Sequence, residues 1–230
     1  MAASQFSFDW KAVALAIDHT QLRADARPEQ ILTLCREAGK YGFFSVCVQP
    51  CHVALASNAL QGTSVKIATV VGFPQGATLT SVKRYETDQT ILLGAHEVDM
   101  VLNVGMLKAG NREFVENDIR AVAQAAHSRG ALLKVIIEAC LLTRDEKILA
   151  CELAVSAGAD YVKTSTGMST SGATVEDVVL MRSVVGDRAG VKAAGGIRTA
   201  EEAIAMLKAG ASRIGASASV AIVRALGAPE

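Results

Sequence analysis

Eight short apolar runs, rich in β-branched residues, recur along the 230-residue sequence. They are ALAID (14 to 18), FFSVCV (43 to 48), VKIATVVG (65 to 72), EVDMVLN (97 to 103), LLKVIIE (132 to 138), YVKTS (161 to 165), GVKAAGG (190 to 196) and RIGAS (213 to 217). Segments with helical periodicity lie between them. In PEQILTLCREAGKYG (28 to 42), Ile31, Leu34, Cys35 and Ala38 fall on one face, and Gly39 or Gly42 ends the helix. SVKRYETDQTILLGA (81 to 95) and EEAIAMLKAGA (201 to 211) read the same way. Three helices pass through a closing glycine into the next strand, in ILLGAHEVD, AVSAGADYV and MLKAGASRI. This alternation makes βα units around a parallel sheet. Eight units predict an α/β fold, a single (β/α)8 TIM barrel over residues 1–230. A doubly wound open sheet is the alternative, but the G-x-G-x-x-G expected after its first strand is missing. No low-complexity linker divides the chain.

The formal net charge is zero, which gives no electrostatic reason to expect nucleic acid or an anionic membrane as partner. Any anion site must be local. The stretch ALLKVIIEACLL (131 to 142) is interrupted by charge and too short to span a bilayer, and MAASQFSFDW lacks the regions of a secretory signal. Cys35, Cys47, Cys51, Cys140 and Cys151 are odd in number and include no C-x-x-C, so reduced thiols in a cytoplasmic protein are expected. Cys47, Cys51 and His52 cluster without further ligands at metal-binding spacing, and no metal is expected there.

YVKTSTG (161 to 167) carries a lysine into a strand otherwise suited to burial. In a barrel, alternate strand residues point inward, and sites gather at the C-terminal strand ends. With Val162 and Thr164 towards the helices, Tyr161, Lys163 and Ser165 face in. Lys192, between Val191 and Ala193, faces in from the next strand. Asp99 shares a side with Val101 and Asn103, and Lys134 shares one with Ile136 and Glu138. One cavity is thus expected to hold three lysines and at least one carboxylate. Desolvation and a neighbouring cation both favour the free amine. A free amine attacks a carbonyl carbon and forms a Schiff base, and Thr164, Ser165 and Thr166 add hydroxyls around the reacting carbon. A purely structural reading pairs Lys163 and Lys192 with Asp99 and Glu138 in a salt-bridge network. Two lysines on adjacent strands, near their C-terminal ends, favour the functional reading.

AAGGIRTAEEA (193 to 203) ends the seventh run with Gly195 and Gly196 and then offers a capping box, Thr199 with Glu202. RIGASAS (213 to 219) ends the eighth run and opens the last helix. Small residues at these two places, leading into a helix N-terminus, form the usual phosphate site of such barrels. Gly196, Gly215 and Ser217 are the candidates, with Gly167 on the neighbouring loop. They imply a small phosphorylated substrate. The plainer alternative is that these glycines only permit tight turns.

At these residues the sequence resembles the deoxyribose-phosphate aldolases, which are class I aldolases. The matching words are AIDHTQLRADA (16 to 26), VVGFPQGATLTSVKRYE (70 to 86), EVDMVLNVG (97 to 105), KVIIEACLLT (134 to 143), YVKTSTG (161 to 167) and VKAAGGIRT (191 to 199). They run over nearly the whole chain in the family's order. The resemblance implies a lyase that reversibly joins acetaldehyde and glyceraldehyde 3-phosphate into 2-deoxyribose 5-phosphate, with neither metal nor organic cofactor. It puts the Schiff-base lysine on Lys163, the second lysine that lowers its pKa on Lys192, and the proton-transfer aspartate on Asp99. Lys134 and Thr166 match positions beside that relay and the substrate. It also implies a homodimer or a higher homo-oligomer. Some relatives end in a tyrosine that assists proton transfer. This sequence ends in ALGAPE, leaving the step to water and Asp99 or to a different route. The loop after Gly167 reads MSTSGAT, where relatives often carry an aromatic residue and more glycine.

Two other enzyme readings are a phosphate-binding barrel isomerase, with Asp99 as base and the lysines as electrostatic clamps, and another class I aldolase. A third is a non-catalytic sugar-phosphate binding protein. Binding alone is better served by lysines kept charged at a rim than by a pair on adjacent strands. His19 is expected to be a hydrogen-bonded histidine at a strand end, and Cys47 a buried inert thiol.

Overall fold

A computed structural model describes residues 8–230. Asp9 caps the first helix, α1 (Trp10–Ala14), by accepting from the Ala12 N–H at 2.8 Å. The elements that follow are β1 (Ile17–Gln21), α2 (Pro28–Tyr41), β2 (Ser45–Val48), α3 (Val53–Ala59), β3 (Lys66–Val71), α4 (Thr80–Leu92), β4 (Glu97–Val101), α5 (Val104–Lys108) and α6 (Arg112–His127). Then come β5 (Leu132–Ile136), α7 (Arg144–Ser156), β6 (Tyr161–Lys163), α8 (Val175–Val185), β7 (Gly190–Ala194), α9 (Ala200–Lys208), β8 (Arg213–Ala216) and α10 (Ser219–Ala225). The strands close into a barrel in sequence order, each parallel to the next, and β8 pairs back onto β1. The first apolar run was expected to be a strand from residue 14. The strand instead begins at Ile17, because Ala14 belongs to the helix that Asp9 caps.

Alternation divides each strand between two environments. Val98, Val135, Val162, Val191 and Ile214 point outward and are buried in the main hydrophobic core with the apolar faces of the helices. The inward set is largely polar: Asp18, Ser45, Glu97, Asp99, Lys134, Lys163, Lys192 and Arg213 are all buried. The barrel therefore has an apolar jacket and an ionic interior.

One helix departs from its expected pattern. α4 buries Lys83, Thr87 and Thr90, while Val82, Tyr85 and Leu92 are exposed. Lys83 Nζ donates to Asp118 Oδ2 at 2.6 Å and to the Val101 carbonyl at 3.0 Å. Thr87 and Thr90 donate to carbonyls of their own helix. Each buried polar group on α4 thus has a partner, which makes the polar face tolerable in the interior. No helix among the described residues is long and apolar enough to cross a membrane.

Candidate active site

The parallel register sets Lys163 of β6 directly beside Lys192 of β7 and Asp99 of β4 beside Lys134 of β5. Asp99 Oδ2 accepts from Lys163 Nζ at 2.8 Å and from Lys192 Nζ at 2.9 Å, and its Oδ1 accepts from Lys134 Nζ at 2.7 Å. The network continues down the barrel. Lys192 Nζ lies 2.5 Å from Asp18 Oδ2, Lys134 Nζ lies 2.6 Å from Glu97 Oε2, and Arg213 bridges Asp18 at 2.7 Å and Glu97 at 3.2 Å. The Arg213 guanidinium also stacks on the Phe44 ring, 3.4 Å from its centroid.

These seven side chains comprise four cationic groups and three carboxylates, none more than 3% exposed. Fully ionised, they leave one positive charge without a counter-charge in a dry interior, which is costly. Releasing one lysine proton makes the interior neutral. The contacts select which lysine gives it up. Lys134 and Lys192 each touch two carboxylates, whereas Lys163 touches one oxygen of Asp99 and shares it with Lys192. Burial pushes Lys163 below the ordinary lysine range; Asp99 opposes the shift and Lys192 adds to it. Lys192 moves the other way, because Asp18 and Asp99 together outweigh its burial. Lys134 is also raised, by Asp99 and Glu97 against its burial. Burial would raise Asp99, but Lys134, Lys163 and Lys192 hold it well below the usual carboxylate range.

A cavity of about 370 Å³ opens at the C-terminal ends of β1, β6, β7 and β8. Lys163 borders it, together with Thr166, Gly167, Gly196, Gly215 and Ser217. A Cβ at position 215 would stand 2.9 Å from Ala194 Cβ and 3.1 Å from Lys192 Cε, so glycine there makes room for the lysine stem. Arg23 and Arg198 also border the cavity. Lys192, Asp99 and Lys134 lie behind Lys163 and do not line the space. A nucleophile at the wall of a cavity, backed by a charged relay and flanked by small residues, suits covalent chemistry on a carbonyl compound with an anionic end.

The family model described as DeoC/LacD family aldolase matches residues 12–226. The chain belongs to the DeoC/LacD aldolase family. This DeoC/LacD aldolase is 60% identical over 211 residues to the deoxyribose-phosphate aldolase of Geobacillus sp. (strain WCH70), covering 92% of this chain and 94% of the relative. It is 58% identical over 218 residues to the deoxyribose-phosphate aldolase of Aciduliprofundum boonei, covering 95% and 98%. A solved deoxyribose phosphate aldolase from Aeropyrum pernix, described as having a unique tetrameric structure, superposes with a TM-score of 0.89 at 34% identity, over 94% of this chain and 91% of that one.

Within this DeoC/LacD aldolase, the residues singled out in the sequence fall into two groups. Lys163, Lys192 and Asp99 meet in one ionic cluster, and Thr166, Gly167, Gly196, Gly215 and Ser217 line the cavity. Lys134 was expected near the substrate, but it is fully buried, bonds to Asp99 and Glu97, and does not border the cavity. Glu138, a candidate partner for the lysines, turns away from them. Its backbone adopts φ 51° and ψ 61°, which breaks the strand alternation, and its carboxylate accepts from Thr166 instead. Asp18, Glu97 and Arg213 were not singled out. Alternation back from Asp99 reaches Glu97, and alternation back from Gly215 reaches Arg213, so their signal was present. Asp18 was hidden because its run was expected to end at that residue. His19 faces outward, with Nε2 at 2.8 Å from Glu37 and Nδ1 at 3.0 Å from Ser219, which agrees with a hydrogen-bonded strand-end histidine. Cys47 is fully buried, and burial pushes its thiol up, away from the reactive thiolate.

Proposed function

We infer that this chain cleaves 2-deoxyribose 5-phosphate reversibly to acetaldehyde and glyceraldehyde 3-phosphate through a Schiff base on Lys163. The observation that carries the reading is the surplus of one cation in the barrel interior, relieved when Lys163, the one lysine of the cluster that borders the cavity, releases its proton. The relatives named deoxyribose-phosphate aldolase supply the substrate.

In the cleavage direction the Lys163 amine adds to C1 of the open-chain sugar, and water leaves to give an iminium. A base takes the C3 hydroxyl proton, and the C2–C3 bond breaks with its electrons drawn into the iminium. Glyceraldehyde 3-phosphate departs and an enamine remains. Protonation at C2 and hydrolysis release acetaldehyde and restore the amine. Asp99, acting through Lys192 or water, moves the protons, and its contact with both lysines at 2.8 and 2.9 Å supports that role. Gly196, Gly215, Ser217 and Gly167 receive the phosphate. Lys134 anchors Asp99 from behind.

Acetaldehyde and borohydride should leave a reduced two-carbon adduct on Lys163, located by peptide mass. Lys163→Leu should give no adduct and lose at least about 10³-fold in cleavage of 2-deoxyribose 5-phosphate, the scale on which covalent catalysis fails when its nucleophile is removed. Turnover by the wild type with Lys163 unmodified would count against the reading.

The five cysteines are all free, and a cytoplasmic setting suits them. Assembly with further copies of the chain is proposed as well. Its support is the outward apolar face of α4 and the tetrameric description of the Aeropyrum pernix relative.

A further inference from the structure

One buried carboxylate has no part in this chemistry. Glu138 is 4% exposed and pairs with no cation among the described residues. It is also the one non-glycine residue among them with a positive φ, a conformation that a side chain normally avoids. Such strain persists only where the surroundings hold it, and it clusters at functional sites. Here the holding contacts are specific. Glu138 Oε1 accepts from the Thr166 backbone N–H at 3.1 Å, and Oε2 accepts from the Thr166 hydroxyl at 2.5 Å. The Thr166 hydroxyl oxygen in turn accepts from the Met168 N–H at 3.0 Å. One carboxylate thus fixes the turn of residues 166 to 168, and Thr166, Gly167 and Met168 all line the cavity beside Lys163. The far end of this loop is fixed too. Ala173 N–H donates to the Gly195 carbonyl at 3.0 Å, and a Cβ on Gly172 would stand 2.0 Å from that same oxygen.

We propose that Glu138 is a positioning residue for phosphate recognition: it takes up the Thr166 N–H and hydroxyl and so holds the 166 to 168 turn with the Gly167 backbone towards the phosphorylated end of the substrate. The inference rests on the reading of the cavity as a deoxyribose-phosphate site. It gives the strained backbone a purpose, because the αL turn at 138 swings the carboxylate out of the lysine cluster and onto the neighbouring loop. It also separates two tasks within one cavity. The β4, β6 and β7 side chains handle the aldehyde, and the β5 end sets the shape of the anion pocket without touching the substrate.

The test compares 2-deoxyribose 5-phosphate with unphosphorylated 2-deoxyribose in wild type, Glu138→Gln and Glu138→Ala. Glu138→Gln keeps the size but leaves one acceptor oxygen where the carboxylate offered two, so either the Thr166 N–H or the Thr166 hydroxyl loses its acceptor. It should raise KM for the phosphorylated sugar about tenfold, with kcat within about threefold, as expected when a hydrogen bond that orders a binding loop is lost. kcat/KM for 2-deoxyribose and borohydride trapping of acetaldehyde on Lys163 should stay at wild-type level, which also shows that the variant is folded. Glu138→Ala should enlarge the same split. Equal losses on both sugars, or no change in either KM, would overturn the inference. Failure of the wild type to cleave the phosphorylated sugar would instead sink the functional reading, and this inference with it.

Discussion

Lys163 and Lys192 are neighbours in the same register, yet burial does not leave them in the same state. Lys192 has Asp18 as well as Asp99, which hold its proton more firmly; Lys163 has only a shared oxygen, so its proton is the more easily lost of the two. Alternation along two strands made both lysines and Asp99 legible as one cluster. It did not reveal which lysine would be neutral, because that depends on Asp18, Glu97 and Arg213 arriving from three other strands. The asymmetry makes a directional prediction. In Lys192→Met the count falls to three cations against three carboxylates, and Lys163 also loses its cationic neighbour. The Lys163 pKa should therefore rise, and the neutral fraction at pH 7 should fall, about tenfold for each pH unit by which the pKa climbs. kcat/KM should drop at least about tenfold at pH 7, and the acid limb of its pH profile should move to higher pH. The yield of borohydride-trapped adduct as a function of pH checks this directly, and an acid limb that stays in place refutes the coupling.

Elements were easier to foresee than the faces they present. The helix expected over 28 to 42 forms as α2, and Gly42 closes it with φ 66°. The helix expected over 201 to 211 forms as α9 behind the Thr199 and Glu202 capping box. The helix expected over 81 to 95 also forms, but inverted, since only the fold reveals that Asp118 of α6 and the Val101 carbonyl wait for Lys83. Periodicity marks which residues share a face and is silent on partners for a buried ammonium. The inversion leaves Leu79 at 69%, Tyr85 at 67% and Leu92 at 63% exposure. At 100° per residue, Leu79, Val82, Tyr85, Leu92 and Leu93 project within one broad side of α4. An apolar stripe of that breadth fits a second copy of the chain. Sedimentation velocity at micromolar concentration should give an oligomer for the wild type and a smaller species for Tyr85→Glu, whose carboxylate would be desolvated in the contact. An unchanged sedimentation coefficient in the variant would move the interface elsewhere.

For the molecule as a whole, the ionic interior sets activity against stability. An apolar jacket of βα contacts holds the barrel, and its centre carries a charge set that balances only when one lysine is neutral. A neutral lysine is costly because the unfolded chain would protonate it. Replacing that lysine with a side chain of similar length and no charge removes the cost, while Lys134 and Lys192 still hold Asp99. Lys163→Met should therefore be more stable than the wild type, by about 1–3 kcal/mol at pH 7, the range seen when an awkward buried charge gives way to a well-packed apolar group. It should form no adduct. The pH dependence separates charge from packing. A base whose folded pKa lies below its unfolded value destabilises fully below the folded pKa, and the penalty fades as pH rises towards the unfolded value of about 10.4. The stability gap between Lys163→Met and wild type, from urea unfolding, should thus narrow steadily from pH 7 to pH 10. Packing has no reason to change over that interval, so a gap of constant size would assign the gain to the methionine's fit and leave the surplus cation without thermodynamic effect.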